Sequence, residues 1–104
     1  MALVDQAVLA RQRGDTVALQ EFAKAAFMQE RSAADLVADQ LALEPTRSVL
    51  HRSAAVLALE CGELREAERL IGRALAGNPP IDITNELRDL LVEKIYSQRQ
   101  AIGQ

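Results

Sequence analysis

The side chains that could do chemistry are few and widely spaced. His51 is the only histidine of the 104 residues, and Cys61 is the only cysteine. A catalytic His51 would need a nucleophile or carboxylate partner, and a metal site would need further ligands, but no such spacing is present. We expect His51 to pack between helices. The sequence therefore predicts a protein that is not an enzyme and holds no metal or organic cofactor.

Cys61 is predicted at the C-terminal end of a helix, next to Glu60 and Glu63 in the sequence. Reactive thiols favour a helix N-terminus or a cluster of positive charge. Two neighbouring carboxylates instead disfavour the thiolate. We interpret Cys61 as an inert packing residue, and a single cysteine excludes an intramolecular disulfide.

Three arginines, Arg65, Arg69 and Arg73, recur every four residues and form one basic stripe on a predicted helix. Such a stripe indicates docking of an acidic partner or a phosphate, or nucleic-acid contact by a small regulator of the antitoxin or transcription-factor type. The favoured interpretation is a solvated face whose charge is offset by nearby acids. These acids lie on the same helix and along the next one: Glu66, Glu68, Asp82, Glu86, Asp89 and Glu93.

The overall charge argues against polyanionic partners. The chain has 12 basic and 15 acidic residues and a formal net charge of −3, whereas non-specific binding to nucleic acid or acidic membranes requires a basic excess. The N-terminus lacks the basic stretch of a signal peptide, and no apolar run approaches the roughly 18 residues of a membrane helix. We expect a cytoplasmic protein.

Apolar residues at helical spacing, interrupted by Gly and Pro, predict an all-α fold of five helices. A length of 104 residues is sufficient for one domain with one core. The predicted domain, 1–96, has helical units at about 1–43 and 46–80 and a capping helix at about 82–96, followed by a polar tail at 97–104. Within these units the first four helices are predicted at about 2–13, 16–43, 46–61 and 64–76.

The second predicted helix is unusually long. No Gly or Pro lies between Thr16 and Pro45, which favours one continuous or kinked helix to about Leu43. The alternative is a new helix at Ser32, because the segment 32–35 resembles a capping box.

Two segments of the chain share a pattern at an offset of 48 residues. The tetrapeptide Ala-Val-Leu-Ala occurs at 7–10 and at 55–58, and a glycine follows each copy, Gly14 and Gly62. The common register of helix, glycine turn and helix indicates a duplicated helical hairpin.

The second of these units, about 48–81, resembles a tetratricopeptide repeat. That family alternates bulky and small residues over about 34 residues and ends in proline. The matching positions here are His51, Ala54, Ala55, Ala58, Ala67, Ile71 and Pro79. The chain also resembles small uncharacterised bacterial proteins of this type, and that likeness implies no known activity. The resemblance implies antiparallel helical hairpins in an array.

In tetratricopeptide repeats the first helix of each pair lines a partner-binding groove. Val56 stands where repeats that clamp a C-terminal carboxylate have Asn, which argues against that activity. The aliphatic groove suits an apolar helix or segment of a partner, or the chain's own second helix as a cover. The resemblance assigns the groove to five positions of this sequence: Val49, Arg52, Val56, Leu59 and Glu60.

The second half of the long helix carries an apolar stripe, Leu36, Val37 and Leu41, beyond the reach of the first helix. Because burial of each such side chain contributes about 1.5–3 kcal/mol, we expect the stripe to be covered. We favour a homodimer in which a second copy of the chain covers the stripe. The alternative is that the stripe folds back onto the groove of the same chain. The sequence thus predicts a non-catalytic protein–protein interaction module, either an adaptor or a small dimeric scaffold, whose partner is a protein or peptide.

Overall fold

The structure, a computed structural model, describes residues 16–102, which form helices and connecting turns without a β-strand. This part of the chain is all-α, as predicted. It contains four helices where five were expected over the whole chain. The first predicted helix, 2–13, and the first copy of the repeat lie outside the described residues.

The helices follow the predicted breaks closely. Helix α1 spans Thr16–Val37, α2 spans Thr46–Glu60 and α3 spans Leu64–Leu75. Helix α4 is α-helical over Ile81–Leu90, π-helical over Leu91–Tyr96 and α-helical again over Ser97–Ile102. A single 3₁₀ turn, Leu41–Leu43, lies between α1 and α2.

Small residues bring α2 and α3 close together. Six alanines of α1, α2 and α3 are fully buried, so the helix backbones approach closely while larger side chains fill the remaining space. The apolar residues of α4 that recur at helical spacing are buried or half-buried in this core: Ile83, Leu87, Leu90, Leu91 and Ile95. The large core side chains are Phe27, Leu70, Ile71, Leu87 and Ile95.

Contacts between helix ends establish the directions of the four helices. The Arg47 Nε near the start of α2 is 2.6 Å from the Ala38 carbonyl oxygen, just after α1. The same guanidinium reaches the carbonyl oxygen of Arg73, near the end of α3, at 2.9 Å. Helix α2 is therefore antiparallel to both α1 and α3. Arg99 pairs with Glu68 at 2.8 Å, so the end of α4 lies beside the start of α3.

Helix α1 is continuous through residues 29–32, so it does not restart at Ser32. The expectation that it extends to Leu43 is wrong, because it ends at Val37. In a continuing helix the Ala38 carbonyl would accept the amide four residues later. Here that carbonyl accepts the Arg47 Nε–H instead, and Leu41–Leu43 forms a separate turn. A tertiary contact therefore accompanies the end of α1, and no Gly or Pro lies in the sequence at that end.

The predicted helical end near residue 96 is also wrong, since the structure is helical to Ile102. Two contacts support this extension. The Ser97 hydroxyl donates to the Glu93 carbonyl at 2.6 Å, and Arg99 pairs with Glu68 on α3. The segment is polar as expected, but it continues α4.

The turn between α2 and α3 depends on Gly62. Its φ of +75° lies in the left-handed region that glycine adopts without strain. The Gly62 amide donates to Leu59 at 3.1 Å, and the Glu63 amide donates to Ala58 at 2.8 Å. This pair of bonds is a Schellman motif, which satisfies the last carbonyls of α2 and directs the chain into α3.

Candidate functional site

One buried arginine lies where the ends of three helices meet. Arg47 is only 3 % exposed. Its guanidinium donates to the carbonyl oxygens of Ala38, Arg73 and Ala74 at 2.6, 2.9 and 3.4 Å. Because helix C-termini carry partial negative charge, a cation there is stabilised by the ends of both α1 and α3. Gly77 leaves the space for it, since a Cβ at residue 77 would overlap the guanidinium.

Glu44 contacts Arg47, the first turn of α2 and the segment that follows α3. Its carboxylate accepts the backbone amide of Ser48 at 2.8 Å, in the first turn of α2, and the Asn78 amide at 3.1 Å. It also accepts the Ser48 hydroxyl and lies 3.8 Å from the Arg47 guanidinium. Although burial opposes ionisation, these hydrogen bonds and the Arg47 charge lower the pKa of Glu44. We call Glu44 and Arg47 with their partners the helix-end clamp.

His51 lies in the core next to this clamp, between α2 and α3, as the sequence predicted. The Arg73 Nε–H donates to its Nε2 at 2.8 Å, so Nε2 carries no proton. Its Nδ1, 2.7 Å from the Arg47 carbonyl oxygen, is then the protonated nitrogen and donates to that oxygen. The fully buried ring thus uses both nitrogens within the fold.

The charge of His51 is disfavoured by its surroundings. Burial lowers its pKa, and the positive charges of Arg73 on α3 and Arg47 on α2 lower it further. The hydrogen bond to the Arg47 carbonyl and the negative charge of Asp35 on α1 oppose this effect. The pKa is lowered on balance, which favours a neutral imidazole at neutral pH.

The arginine stripe is mostly engaged within the protein. Arg73 pairs with Asp35 on α1 at 2.7 Å, in addition to its bond to His51. Arg69 pairs with Glu66 at 2.7 Å and lies 3.9 Å from Asp35. Arg65 is exposed and has no ion pair among the described residues. Within residues 16–102 the stripe therefore has one guanidinium without an ion pair, which is a weak basis for phosphate or nucleic-acid binding.

The acids that offset the stripe differ from those expected on the last helix. Glu66 on α3 does contribute, but the main partner is Asp35 of α1. Glu68 pairs with Arg99, and Glu86 of α4 pairs with Arg52 of α2 at 2.9 Å. The expectation is wrong for Asp82, Glu86, Asp89 and Glu93, none of which pairs with the stripe in the described part of the chain.

The predicted groove lies on the face of α2 between α1 and α4. Val56 is 38 % exposed, Glu60 is exposed, and Val49 and Leu59 are half-buried against the core. A shallow depression of about 340 Å³ opens there, lined by Glu30 of α1 and by Arg52, Ser53, Val56 and Leu57 of α2.

The second half of α1 leaves this groove uncovered. Glu30 contributes to the wall of the depression, while Val56 remains accessible. On the far side, Arg52 reaches Glu86 and thereby connects α2 to α4. The depression is therefore open, with α1 beside it and the Arg52–Glu86 ion pair next to it.

The three residues predicted for self-association differ in exposure. Leu36 is 77 % exposed and Leu41 is 53 % exposed, whereas Val37 is half-buried. Because α1 ends at Val37, these residues form no continuous helical stripe. Leu43 on the same 3₁₀ turn is also exposed. No other helix of the described chain covers Leu36 and Leu41.

Three further observations concern Cys61, metal ligands and membrane-spanning helices in residues 16–102. Burial raises the pKa of the Cys61 thiol, and the charges of Glu60 and Glu63 raise it further. No group of three His, Cys, Asp or Glu side chains in this range is placed to hold a metal ion. None of its helices is both long and apolar enough to cross a lipid bilayer.

Comparison of the chain with protein-family models, with curated proteins and with solved structures gives no match.

The burial of His51 predicts how the free energy of unfolding changes with pH. An unfolded histidine binds a proton below about pH 6.5, whereas the folded protein resists protonation of His51, so protons favour unfolding as the pH falls. We expect the free energy of unfolding to decrease by up to about 1 kcal/mol between about pH 7 and pH 5.5. The carboxylates whose pKa is lowered, such as Glu44 and Glu66, lose their stabilising contribution only as the pH falls below 4.5, the ordinary pKa of a glutamate.

The measurement is urea unfolding followed by circular dichroism across this pH range. The His51→Gln variant is the control, because it has no group that titrates there, and its unfolding free energy should be nearly constant. Equal pH dependence in the variant and the wild-type protein would show that the buried imidazole is not responsible.

Proposed function

We propose that this protein is a non-catalytic protein–protein interaction module that binds its partner along the α2 groove, defined by Val49, Arg52, Val56, Leu59 and Glu60. The observation that carries this proposal is the exposure of Val56 in the depression that α1 and α2 line. An exposed apolar side chain in such a depression suits a helix or an extended segment of another protein.

The distribution of polar chemistry supports the same proposal. His51, Arg73 and Arg47 are hydrogen-bonded within the fold, and every buried side-chain nitrogen or oxygen of the described residues has a partner. These groups therefore stabilise the scaffold and are not directed at a substrate. The resemblance of residues 48–81 to a tetratricopeptide repeat also favours α2 as the partner-facing helix.

The proposal predicts that a polar substitution in the groove abolishes partner capture. Tagged wild-type protein should retain a specific protein from a lysate of the source organism, and Val56→Asp should lose it because a carboxylate would be desolvated at the interface. Quantitative mass spectrometry of the retained proteins provides the measurement.

The matched control for this experiment is Met28→Asp. Met28 is 48 % exposed and lies two residues before Glu30, so helix geometry places it on the opposite side of α1. The Met28→Asp variant should therefore capture the partner as the wild-type protein does. Retention of the same protein by Val56→Asp, with unchanged helicity and urea midpoint, would rule out the groove as the binding surface.

We further propose that the exposed leucines of the α1–α2 connection mediate self-association, which makes the module a small dimeric scaffold. Leu36 and Leu41 are the basis, because their side chains are more than half exposed. Light scattering after size exclusion should give about twice the chain mass of 11.4 kDa. The variant with Leu36→Asp and Leu41→Asp should be a folded monomer. A wild-type mass of one chain at high micromolar concentration would contradict this proposal.

A further inference from the structure

Val56 and Leu57 of α2 form the apolar part of the depression beside α1. Val49 and Leu59 lie on the same helix and are half-buried against the core. Helix α2 has 15 residues, which corresponds to about 22 Å, or about four helical turns of a partner. An exposed valine on one face of this helix can pack against the apolar side of one amphipathic helix.

The rim of the groove is acidic on three helices. Glu30 of α1 lines the depression, Glu60 follows Val56 by one turn of α2, and Glu86 stands on α4. Neither Glu30 nor Glu60 has an ion pair within the described residues. Their carboxylates are therefore available to a partner.

Arg52 is the only cation among the described residues that line the depression, and it is already paired. It donates to the Glu86 carboxylate at 2.9 Å, with 29 % of its side chain exposed. Because Glu30 and Glu60 have no ion pair among the described residues, these four groups together carry a net negative charge. An acidic ligand would meet repulsion from Glu30 and Glu60, and a second copy of the same groove would meet it too.

We infer that the α2 groove binds a basic amphipathic helix of a partner protein, with its apolar side on Val56 and its Lys or Arg side chains on Glu30 and Glu60. This inference rests on the proposed function and specifies the chemistry of the partner. The charges select the partner by favourable pairing and by repulsion of acidic helices.

The test uses two designed helical peptides, each about 18 residues long, with identical leucine faces. One carries lysine and the other glutamate at the polar positions, and fluorescence anisotropy measures their binding. The lysine peptide should bind at least about tenfold more tightly than the glutamate peptide. Its affinity should decrease when the salt concentration is raised from about 50 to about 300 mM, because salt screens exposed charges.

Charge-reversal variants then locate the interaction. The variant Glu30→Lys with Glu60→Lys should weaken binding of the lysine peptide at least about fivefold. The control, Glu21→Lys with Asp39→Lys, changes the net charge equally at exposed sites, and Glu21 is nine residues from Glu30 on the opposite side of α1. It should bind within about twofold of the wild-type protein. Urea midpoints verify that each variant is folded, and the salt dependence of the wild-type protein provides a test without substitution.

The outcomes separate this inference from the proposed function. Tighter binding of the glutamate peptide, or equal effects of the two charge-reversal variants, would overturn the basic-helix inference. If the glutamate peptide binds more tightly and Val56→Ser abolishes its binding, the groove is still an interaction site and the proposed function stands. If neither peptide binds in a way that depends on Val56, both the inference and the groove assignment fail.

Discussion

The fold depends on placing one arginine where helix ends converge. Without a counterpart, the carbonyl groups at the ends of α1 and α3 would be left unpaired or exposed to water. The Arg47 guanidinium bonds to carbonyls of both helix ends, and Glu44 holds it from the start of α2. A buried cation is tolerated only with such complete pairing. The directions of α1, α2 and α3 are therefore linked through a single side chain.

This constraint also determines which surface remains for a partner. Because the clamp and His51 engage Arg73, and Asp35 pairs with Arg73, much of the basic stripe is committed to joining α1 to α3. Among residues 16–102, the groove face of α2 has one ion pair, Arg52–Glu86, and its Val56 side chain is exposed. The polar cluster that joins α1, α2 and α3 is thus separate from the surface that we propose binds a partner.

The sequence predicts the parts of the fold that depend on local chemistry. The Gly62 turn, the starts of α2 and α3 and the inward residues of α4 follow from glycine, proline and apolar periodicity. The end of α1 does not, because it involves Arg47, nine residues later, at the Ala38 carbonyl. The clamp also requires Gly77, far along the chain, and no spacing rule connects the two. The groove residues are recognisable from the pattern of α2, but the acidic rim includes Glu30 and Glu86 from other helices and requires the three-dimensional arrangement.

The most direct test of this account is the stability of Arg47→Met, measured by urea unfolding at neutral pH. Methionine retains much of the side-chain volume but leaves the carbonyls of α1 and α3 and the Glu44 carboxylate without their cation. The account predicts a loss of about 3 kcal/mol or more in the free energy of unfolding. Arg65→Met, at an exposed position of the same stripe, should change it by less than about 0.5 kcal/mol. A loss of less than about 1 kcal/mol for Arg47→Met would contradict the central role of the clamp, because the penalty for an unpaired buried group exceeds that value.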